Sequence, residues 1–124
     1  MKKQLTKGQI EDKISKEVTK FYYKTLGTGP KESRAYILQD MVIIRLKGKL
    51  LPIEEKLLEG EQGILMVKNI RKALHEILTI NLMNLVREIT KHEVVSSHSD
   101  VSTKTGEIIE IFILNSDYEK ELSK

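Results

Sequence analysis

The sequence contains no cysteine and no tryptophan, and it has only two prolines among its 124 residues. The absence of cysteine excludes disulfide bonds, thiolate metal sites and cysteine nucleophiles, and it suits a reducing compartment. The chain has no run of about 18 apolar residues, so we expect no transmembrane segment of its own. Its first residues lead into no signal-like apolar stretch. These absences predict a cytoplasmic protein.

An excess of charge of one sign is also missing. There are 21 basic and 18 acidic residues, and the net charge of +3 is too small to indicate a nucleic-acid-binding protein. A nucleic-acid-binding module is therefore only a third interpretation of the function. The composition, 40% hydrophobic and 31% charged, is typical of one globular domain. We expect a single domain over residues 1–124, with a core of about 6–114 and a polar tail over 115–124.

The periodicity of the apolar residues predicts a succession of helix, hairpin, helix and hairpin. A capping box over Thr6-Lys7-Gly8-Gln9 starts the first helix, and Gly27 ends it in the left-handed conformation that glycine favours. The remaining predicted elements are strands over 33–39 and 41–47, a short helix beginning near Pro52, a long helix over 62–91, and strands over 93–99 and 107–114. Consecutive hairpins imply antiparallel pairing. The predicted fold class is α+β in αββαββ order, with one four-stranded antiparallel sheet and helices packed on one face.

The long helix and the last strand each carry more apolar residues than one small core needs. In the helix, one broad buried face is expected from Val67, Ile70, Leu74, Ile77, Leu78, Leu85 and Ile89. Asn81 is expected inside that face and His75 on the polar arc. In the last strand, alternation gives two apolar faces, which are Ile108, Phe112 and Leu114 on one side and Ile109, Ile111 and Ile113 on the other. We therefore expect a homodimer in which a second copy covers one of these surfaces.

The sharpest local feature is the segment Gly27-Thr-Gly-Pro-Lys31-Glu-Ser-Arg34. Its glycines can point backbone N–H groups at an anion, and its basic residues add positive charge. The candidate residues for binding a phosphate, carboxylate or bicarbonate are Gly27, Gly29, Lys31 and Arg34. The segment lacks the Walker spacing and runs from helix into strand. A plain turn with two solvated basic residues is therefore the competing interpretation.

Arg71 is a second candidate, because its helical position places it at the edge of the expected buried stripe. An arginine there is expected to pair with a carboxylate, and Asp40 and Glu54 are the candidate partners. Arg71 and Asp40 are accordingly interpreted either as part of an anion-binding or interface site or as members of structural ion pairs.

No set of residues has the spacing of a catalytic or metal site. The three histidines, His75, His92 and His98, do not have the spacing of metal ligands. His98 and Asp100 can share a strand face, but no nucleophile completes a catalytic set. We therefore expect no enzymatic activity, no catalytic residue, no metal and no cofactor.

The motifs, taken in order, resemble a known bacterial family. The segments that carry the likeness are Gly29-Pro-Lys31 with Arg34-Ala-Tyr-Ile, Asp40-Met-Val-Ile-Ile-Arg-Leu-Lys-Gly48, Leu51-Pro-Ile-Glu54-Glu-Lys-Leu57, Val67 with Arg71, and Asp100 with Ile111-Phe-Ile-Leu114. They cover roughly Ile10 to Leu114 and are similar to the MpsC family, the third component of a Na+-translocating membrane-potential-generating system. Two departures stand out: Leu51 occupies the place of an expected threonine or serine cap, and Lys91-His92 that of an expected glycine.

The resemblance implies an accessory or regulatory role rather than a catalytic one. The family's partners are a membrane subunit similar to proton-pumping antiporter subunits and a large cytosolic subunit, a pair associated with cation-coupled bicarbonate uptake. The resemblance assigns no role to the matching polar positions, which are Lys31, Arg34, Asp40, Glu54, Arg71 and Asp100. We expect a cytoplasmic protein peripheral to the inner face of the membrane. The alternative is a small-anion or nucleotide sensor that uses Lys31, Arg34 and Arg71.

Overall fold

A computed structural model describes residues 4–48 and 50–123 of the chain. The elements in chain order are α1 (Lys7–Leu26), β1 (Glu32–Leu38), β2 (Met41–Lys47), α2 (Pro52–Leu57), α3 (Glu61–Thr90), β3 (Val94–Val101), β4 (Ile108–Leu114) and α4 (Tyr118–Leu122). The predicted order of helices and hairpins is confirmed. Among the predicted bounds the end of β3 differs most, because the strand extends to Val101 rather than to residue 99. The predicted polar tail contains α4.

The start and the end of α1 follow from local signals in the sequence. Thr6 Oγ1 accepts the N–H of Gln9 at 3.2 Å, and the Thr6 N–H donates to Gln9 Oε1 at 2.9 Å. This reciprocal pair is the predicted capping box. At the other end Gly27 has a φ of 73°, and its N–H donates to the Tyr23 carbonyl oxygen. Glycine adopts this left-handed conformation without strain, so the chain turns sharply out of the helix.

The four strands form one antiparallel sheet in the order β1-β2-β4-β3. The two strands of each hairpin pair with each other. The two hairpins are joined by the pairing of β2 with β4, in which Ile44 lies opposite Glu110. The tight turn between β1 and β2 is made by Gln39, whose φ is 57°, and Asp40. This pairing confirms the predicted fold class, an α+β arrangement with one four-stranded antiparallel sheet.

The core lies between the sheet and the two long helices. Alternation along the strands sends one set of side chains toward the helices, and each of these is at most 8% exposed: Ala35, Ile37, Val42, Ile44, Leu46, Ile108, Phe112 and Leu114. The helices meet them with Ile10, Ile14, Val18, Tyr22, Leu78, Leu82 and Val86. Full burial of one such aliphatic side chain contributes about 1.5–3 kcal/mol to folding. Packing against the sheet therefore fixes which face of each helix is buried.

The buried face of α3 differs from the predicted one. The residues that α3 buries are Val67, His75, Leu78, Leu82, Val86 and Thr90. The prediction of a buried Ile70 and Ile77 is wrong, because these side chains are 60% and 65% exposed. Asn81 is also exposed, whereas His75, predicted on the polar arc, is only 5% exposed. The helix is apolar on two sides, and periodicity alone does not tell which side faces the sheet.

Two apolar surfaces of the described residues lie outside the core and face in opposite directions. The first, the α3 stripe, consists of exposed residues at alternating spacings of four and three: Met66, Ile70, Ala73, Ile77, Ile80 and Asn84. The second, the outer sheet face, points away from the helices and consists of Tyr36, Leu38, Met41, Ile43, Ile109, Ile111 and Ile113. The alternating spacing of the α3 stripe is that of a coiled-coil seam.

The two departures from the family pattern have visible structural consequences. Leu51 precedes α2 and offers no side-chain cap, and its own N–H donates to Glu54 Oε1 at 2.9 Å. Lys91 ends α3 with a φ of 62°, in the left-handed conformation that glycine adopts more easily. The exit of α3 thus has the backbone geometry expected for a glycine, although a lysine provides it.

Candidate functional site

A cavity of about 490 Å³ opens between the end of α1, the end of β2 and the first half of α3. Most of its walls are apolar, and they include Tyr23, Leu26, Leu46, Leu74 and Ile108. Small-molecule sites typically have volumes of about 300–1,000 Å³ and mostly apolar linings. This cavity is therefore the candidate functional site.

The loop between α1 and β1 forms one edge of the cavity. Gly29 lies against the exposed ring of Tyr23, and a Cβ at this position would be 2.6 Å from Tyr23 Cε2. The Lys31 N–H donates to the Lys47 carbonyl oxygen at 2.8 Å, which ties the loop to the open end of the first hairpin. The loop therefore places Lys31, an exposed residue, in the lining of the cavity.

Arg71 enters the cavity wall from α3 and is paired with Glu54 of α2. Arg71 Nε donates to Glu54 Oε2 and Arg71 Nη2 donates to Glu54 Oε1, both at 2.7 Å. The two side chains are only 15% and 14% exposed. The hydrogen bond from Arg71, supported by the Leu51 N–H, holds the pKa of Glu54 below its ordinary value, although partial burial opposes the shift. Because the pair is bidentate and neutral as a unit, Arg71 brings little net charge to the cavity.

Two buried polar side chains are among the residues that line the cavity. Tyr22 of α1 and His75 of α3 are each 5% exposed, and their ring centroids are 6.4 Å apart. Among the described residues, neither the Tyr22 hydroxyl nor the His75 Nδ1 has a hydrogen-bond partner. A buried polar group without a partner costs about 1–3 kcal/mol. Both atoms are inaccessible to solvent, so the unsatisfied groups are enclosed in the core beside the cavity.

A fully buried carboxylate lies behind His75. Glu110 of β4 is 0% exposed, and its Oε1 is 3.6 Å from His75 Nδ1, which is too long for a hydrogen bond. Thr79 Oγ1 is 3.0 Å from Glu110 Oε1 and 3.3 Å from Oε2, so this hydroxyl donates to the carboxylate. A buried carboxylate is costly unless it is hydrogen-bonded, and the Thr79 hydroxyl supplies that hydrogen bond.

The protonation of Tyr22 follows from this environment. Burial raises the pKa of Tyr22 well above its usual range, and the Glu110 carboxylate adds to the effect. The hydroxyl therefore keeps its proton at neutral pH and is available as a hydrogen-bond donor. The cavity thus has mostly apolar walls, Lys31 is among its lining residues, and the buried polar groups of Tyr22 and His75 lie beside it.

The structure brings only some of the predicted site residues together. Gly29, Lys31 and Arg71 line the cavity, and Gly27 begins the loop that forms its edge. Arg34 lies on β1 outside the cavity, where its Nε donates to a carboxylate of the same strand at 2.8 Å. The glycine loop therefore contributes one of its two basic residues to the cavity.

Asp40 also lies away from the cavity. It sits in the turn between β1 and β2, where its carbonyl oxygen accepts the N–H of Leu114 at 2.7 Å. It lines a smaller pocket of about 220 Å³ together with Asn115 and Ser116. Of the two acidic partners considered for Arg71, the structure therefore shows Glu54 and not Asp40.

Glu110 was not among the predicted site residues, and His75 was predicted on the polar arc of the long helix. For Glu110 the signal was available, because it stands two residues from both Ile108 and Phe112 and so shares their buried strand face. For His75 the signal was its spacing of three and seven residues from Leu78 and Leu82, which places all three on one helix face. Both positions were identifiable as buried, but their proximity to each other was not.

The described residues offer no obvious metal centre. Over 4–48 and 50–123, no group of three histidine, aspartate or glutamate side chains is close enough to hold a metal ion. His92 is engaged elsewhere, since its Nε2 lies 2.8 Å from Glu121 Oε2 and its ring packs edge-on against Tyr118. These contacts attach α4 to the end of α3.

The fold and the cavity define a class: a small α+β protein with an open four-stranded sheet, long helices on one face and a mostly apolar cavity beside them. Comparison with known proteins adds the family. The model of the family described as "Na+-translocating membrane potential-generating system (MpsC)" matches residues 6–116. The chain belongs to the MpsC family, and the resemblance predicted from the sequence is confirmed over nearly the same residues.

A curated relative supports the same assignment. "Uncharacterized protein YbcI" of Bacillus subtilis (strain 168) is 40% identical over 119 residues, which cover 96% of this chain and 96% of the relative. No solved structure gives a significant match. Within the part of the chain that the structure describes, no helix combines the length and the hydropathy that crossing a membrane requires.

Proposed function

We propose that the chain is a non-catalytic, cytoplasmic accessory subunit of a cation-coupled membrane-potential-generating system. The observation that carries this proposal is the match of the MpsC family model over residues 6–116, because its description names such a system. The partners implied by the family are an antiporter-like membrane subunit and a large cytosolic subunit associated with bicarbonate uptake. The chain acts by docking at the inner face of the membrane.

The two apolar surfaces outside the core support a docking function. Single exposed apolar residues are common, but contiguous apolar surfaces usually mark interfaces. On the α3 stripe, Ile70, Ile77 and Ile80 are 60%, 65% and 58% exposed. On the outer sheet face, Tyr36 and Leu38 are 46% and 47% exposed. We assign the α3 stripe to a second copy of the chain and the outer sheet face to the partner subunits.

The spacing of the α3 stripe favours a second copy as its occupant. Alternating steps of four and three residues place its side chains in one row along the helix. A second helix with the same spacing can pack against this row along its whole length. The α3 helix of a second copy has that spacing by definition. Asn84 is the single polar residue of the stripe. In coiled coils, one polar residue in the seam fixes the register of the paired helices.

Co-purification from the native bacterium tests the docking function. An affinity-tagged chain is expected to retain the membrane subunit and the large cytosolic subunit, and deletion of its gene should lower bicarbonate uptake. Ile109→Lys, which places a charge on the outer sheet face, should abolish the association. Thr105→Lys, which adds the same charge in the exposed loop between β3 and β4, should preserve it. The absence of both association and an uptake effect would contradict the proposal.

One specific observation favours a second candidate function, the sensing of a small anion or a nucleotide. Lys31 and Arg71 line the same cavity. Thermal-shift measurements with bicarbonate, phosphate and nucleotides test this function, because a ligand at 100 times its Kd stabilises the folded state by about 2.7 kcal/mol. Lys31→Gln should remove the shift, whereas Lys24→Gln at the exposed end of α1 should retain it. A lack of any shift with these three ligand types contradicts sensing of a simple anion or a nucleotide.

A further inference from the structure

The two edges of the sheet differ in how their backbone groups are covered. At the β1 edge, the N–H of Ile37 donates to Glu11 Oε2 at 2.8 Å, and the N–H of Gln39, just beyond the strand, donates to Glu119 Oε1 at 3.0 Å. Carboxylates from α1 and α4 therefore occupy this edge. On β3, residues 95–100 are all exposed, and the strand contains no lysine and no proline. An edge of this length without such protection can pair with another strand.

The hydrogen bonds at the end of β3 show which of its backbone groups point away from the sheet. The Ser102 N–H donates at 2.8 Å to the carbonyl oxygen of Glu107, the residue before β4. Backbone groups in an antiparallel ladder alternate in direction from one residue to the next. The odd-numbered residues of the regular strand therefore direct their backbone groups outward, and these are Ser97, Ser99 and Val101. The Val101 N–H agrees with this alternation, because it donates to Asp100 Oδ1 at 2.9 Å rather than to β4.

One register of antiparallel pairing with the β3 strand of a second copy uses all of these outward groups. In that register Ser99 lies opposite Ser99 of the second copy, and Ser97 of each copy lies opposite Val101 of the other. Each of these pairs exchanges two backbone hydrogen bonds. The irregular pairing between Val94 and Ser96 limits the regular strand on one side, and its end at Val101 limits it on the other. A register shifted by two residues therefore loses backbone pairs.

The side chains of the strand select the same register. His98 and Asp100 pair with Ile111 and Ile109, so they lie on the side of the outer sheet face. With Ser99 at the centre, His98 of each copy lies opposite Asp100 of the other, and an imidazole donates a ring N–H to a carboxylate. A shift by two residues would instead place His98 opposite His98 or Asp100 opposite Asp100. Like charges directly opposite each other destabilise a strand pair.

We propose that the β3 edge pairs antiparallel with the β3 edge of a second copy, centred on Ser99, and joins the two sheets into one. The Ser97 carbonyl of the second copy then replaces the Asp100 side chain as the acceptor of the Val101 N–H. The twofold axis of such a pair keeps equivalent faces on the same side, so the two outer sheet faces form one continuous surface. The inference goes beyond the proposed docking function, which assigns no role to the β3 edge.

The β3 contact is separate from the α3 stripe, and one chain can make both contacts. Its strand is mostly polar, with four residues of serine or aspartate among its eight, so it buries little apolar surface. The β3 contact is therefore the weaker of the two, and it joins copies that are already concentrated at one place. A method that traps weak contacts is needed to detect it.

A single introduced cysteine traps the contact, because the chain has no cysteine of its own. Ser99→Cys places two thiols opposite each other, with Cα atoms about 5.5 Å apart, within the range of a disulfide. Ser97→Cys is the matched control, because both serines are exposed but Ser97 lies four residues, about 14 Å, from its counterpart in the second copy. With oxidised glutathione as the oxidant, full-length Ser99→Cys should form the linked dimer at least about tenfold faster than Ser97→Cys.

Exchange of the paired side chains tests the register. His98→Asp places a carboxylate opposite Asp100 in both halves of the pair and should slow the cross-linking of Ser99→Cys about fivefold. Addition of Asp100→His reverses the pair and should restore the rate. Failure of this second change to restore the rate would overturn the register.

The Ile77→Glu background separates the β3 contact from the α3 stripe. This change disrupts only the proposed α3 contact, so Ser99→Cys should still cross-link faster than Ser97→Cys. Equal rates for the two cysteine variants, or a faster Ser97→Cys, would overturn the inference and leave the α3 stripe unaffected. Preferential cross-linking of Ser99→Cys together with an assembly that Ile77→Glu does not change would support the β3 contact and contradict the α3 stripe.

Discussion

Arg71 and Glu54 connect α3 to α2 through two parallel hydrogen bonds of 2.7 Å in a largely buried position. Hydrogen bonds to charged groups contribute about 1.5–3 kcal/mol, and loss of one partner leaves the other charge partly buried. Arg71→Gln and Glu54→Gln should therefore each lower the free energy of unfolding by about 2 kcal/mol. The double variant should lose less than the sum of the two, with a coupling energy of at least about 1 kcal/mol. Urea denaturation of the four proteins measures this cycle, and strict additivity would show that the pair contributes nothing.

The same ion pair predicts a pH dependence of stability. The hydrogen bond from Arg71 lowers the pKa of Glu54 in the folded state. A lowered pKa contributes stability that is present above the pKa of the unfolded state and is lost as the pH falls through the folded-state pKa. The free energy of unfolding should therefore fall as the pH drops below about 4.5, with a shallower fall in Glu54→Gln. Parallel pH profiles of both proteins would contradict the assignment to Glu54.

Gly63 sits where the first turn of α3 meets the end of α2. A Cβ at this position would overlap the backbone carbonyl of Leu57. Gly63→Ala should therefore lower the free energy of unfolding by at least about 2 kcal/mol, although alanine is the better helix former. Gly8→Ala in α1 is the matched control, because a Cβ there meets nothing within 4 Å. It should raise stability by up to about 1 kcal/mol, and a gain in both variants would show that α2 is not packed as described.

Removal of two different hydroxyls near Glu110 should change the free energy of unfolding in different ways. Thr79 donates to the buried carboxylate, so Thr79→Val should lower the free energy of unfolding by about 1–3 kcal/mol. The Tyr22 hydroxyl has no partner among the described residues, so Tyr22→Phe should leave stability unchanged or raise it by up to about 1 kcal/mol. Chemical denaturation of the ligand-free protein measures both effects. A loss of more than about 1 kcal/mol in Tyr22→Phe would mean that the hydroxyl is satisfied.

The parts of the fold that were predicted correctly depend on interactions between close neighbours in the sequence. The capping box joins Thr6 to Gln9, three residues apart, and the left-handed stop needs only Gly27. Alternation along β2 likewise identifies its buried face without knowledge of any other element. Such signals do not change with the tertiary environment, so the element order and the buried face of β2 follow from them.

The buried face of α3 and the buried polar cluster of Tyr22, His75 and Glu110 depend on distant contacts. Ile70 and Ile77 are as apolar as Leu78 and Leu82, and only packing against the sheet decides which pair is buried. Tyr22 of α1, His75 of α3 and Glu110 of β4 come from three separate elements, and only the folded chain brings them together. Lys31 and Arg71 were recognisable as single candidates, but their common cavity required the assembled fold.

The exposed isoleucines of the α3 stripe allow a direct test of the second copy. Ile77 is 65% exposed in a single chain, so Ile77→Glu should not lower the stability of a monomer. In a dimer joined along the stripe, the same change buries a charge at the interface and should raise the dimer dissociation constant at least about 30-fold, equivalent to about 2 kcal/mol. Lys68 precedes Ile77 by nine residues, which at about 100° per residue places it on the opposite side of the helix. Lys68→Glu should therefore leave the dissociation constant unchanged. Sedimentation equilibrium measures all three proteins, and a monomeric parent chain or an unaffected Ile77→Glu dimer would rule out the α3 stripe as the contact between copies.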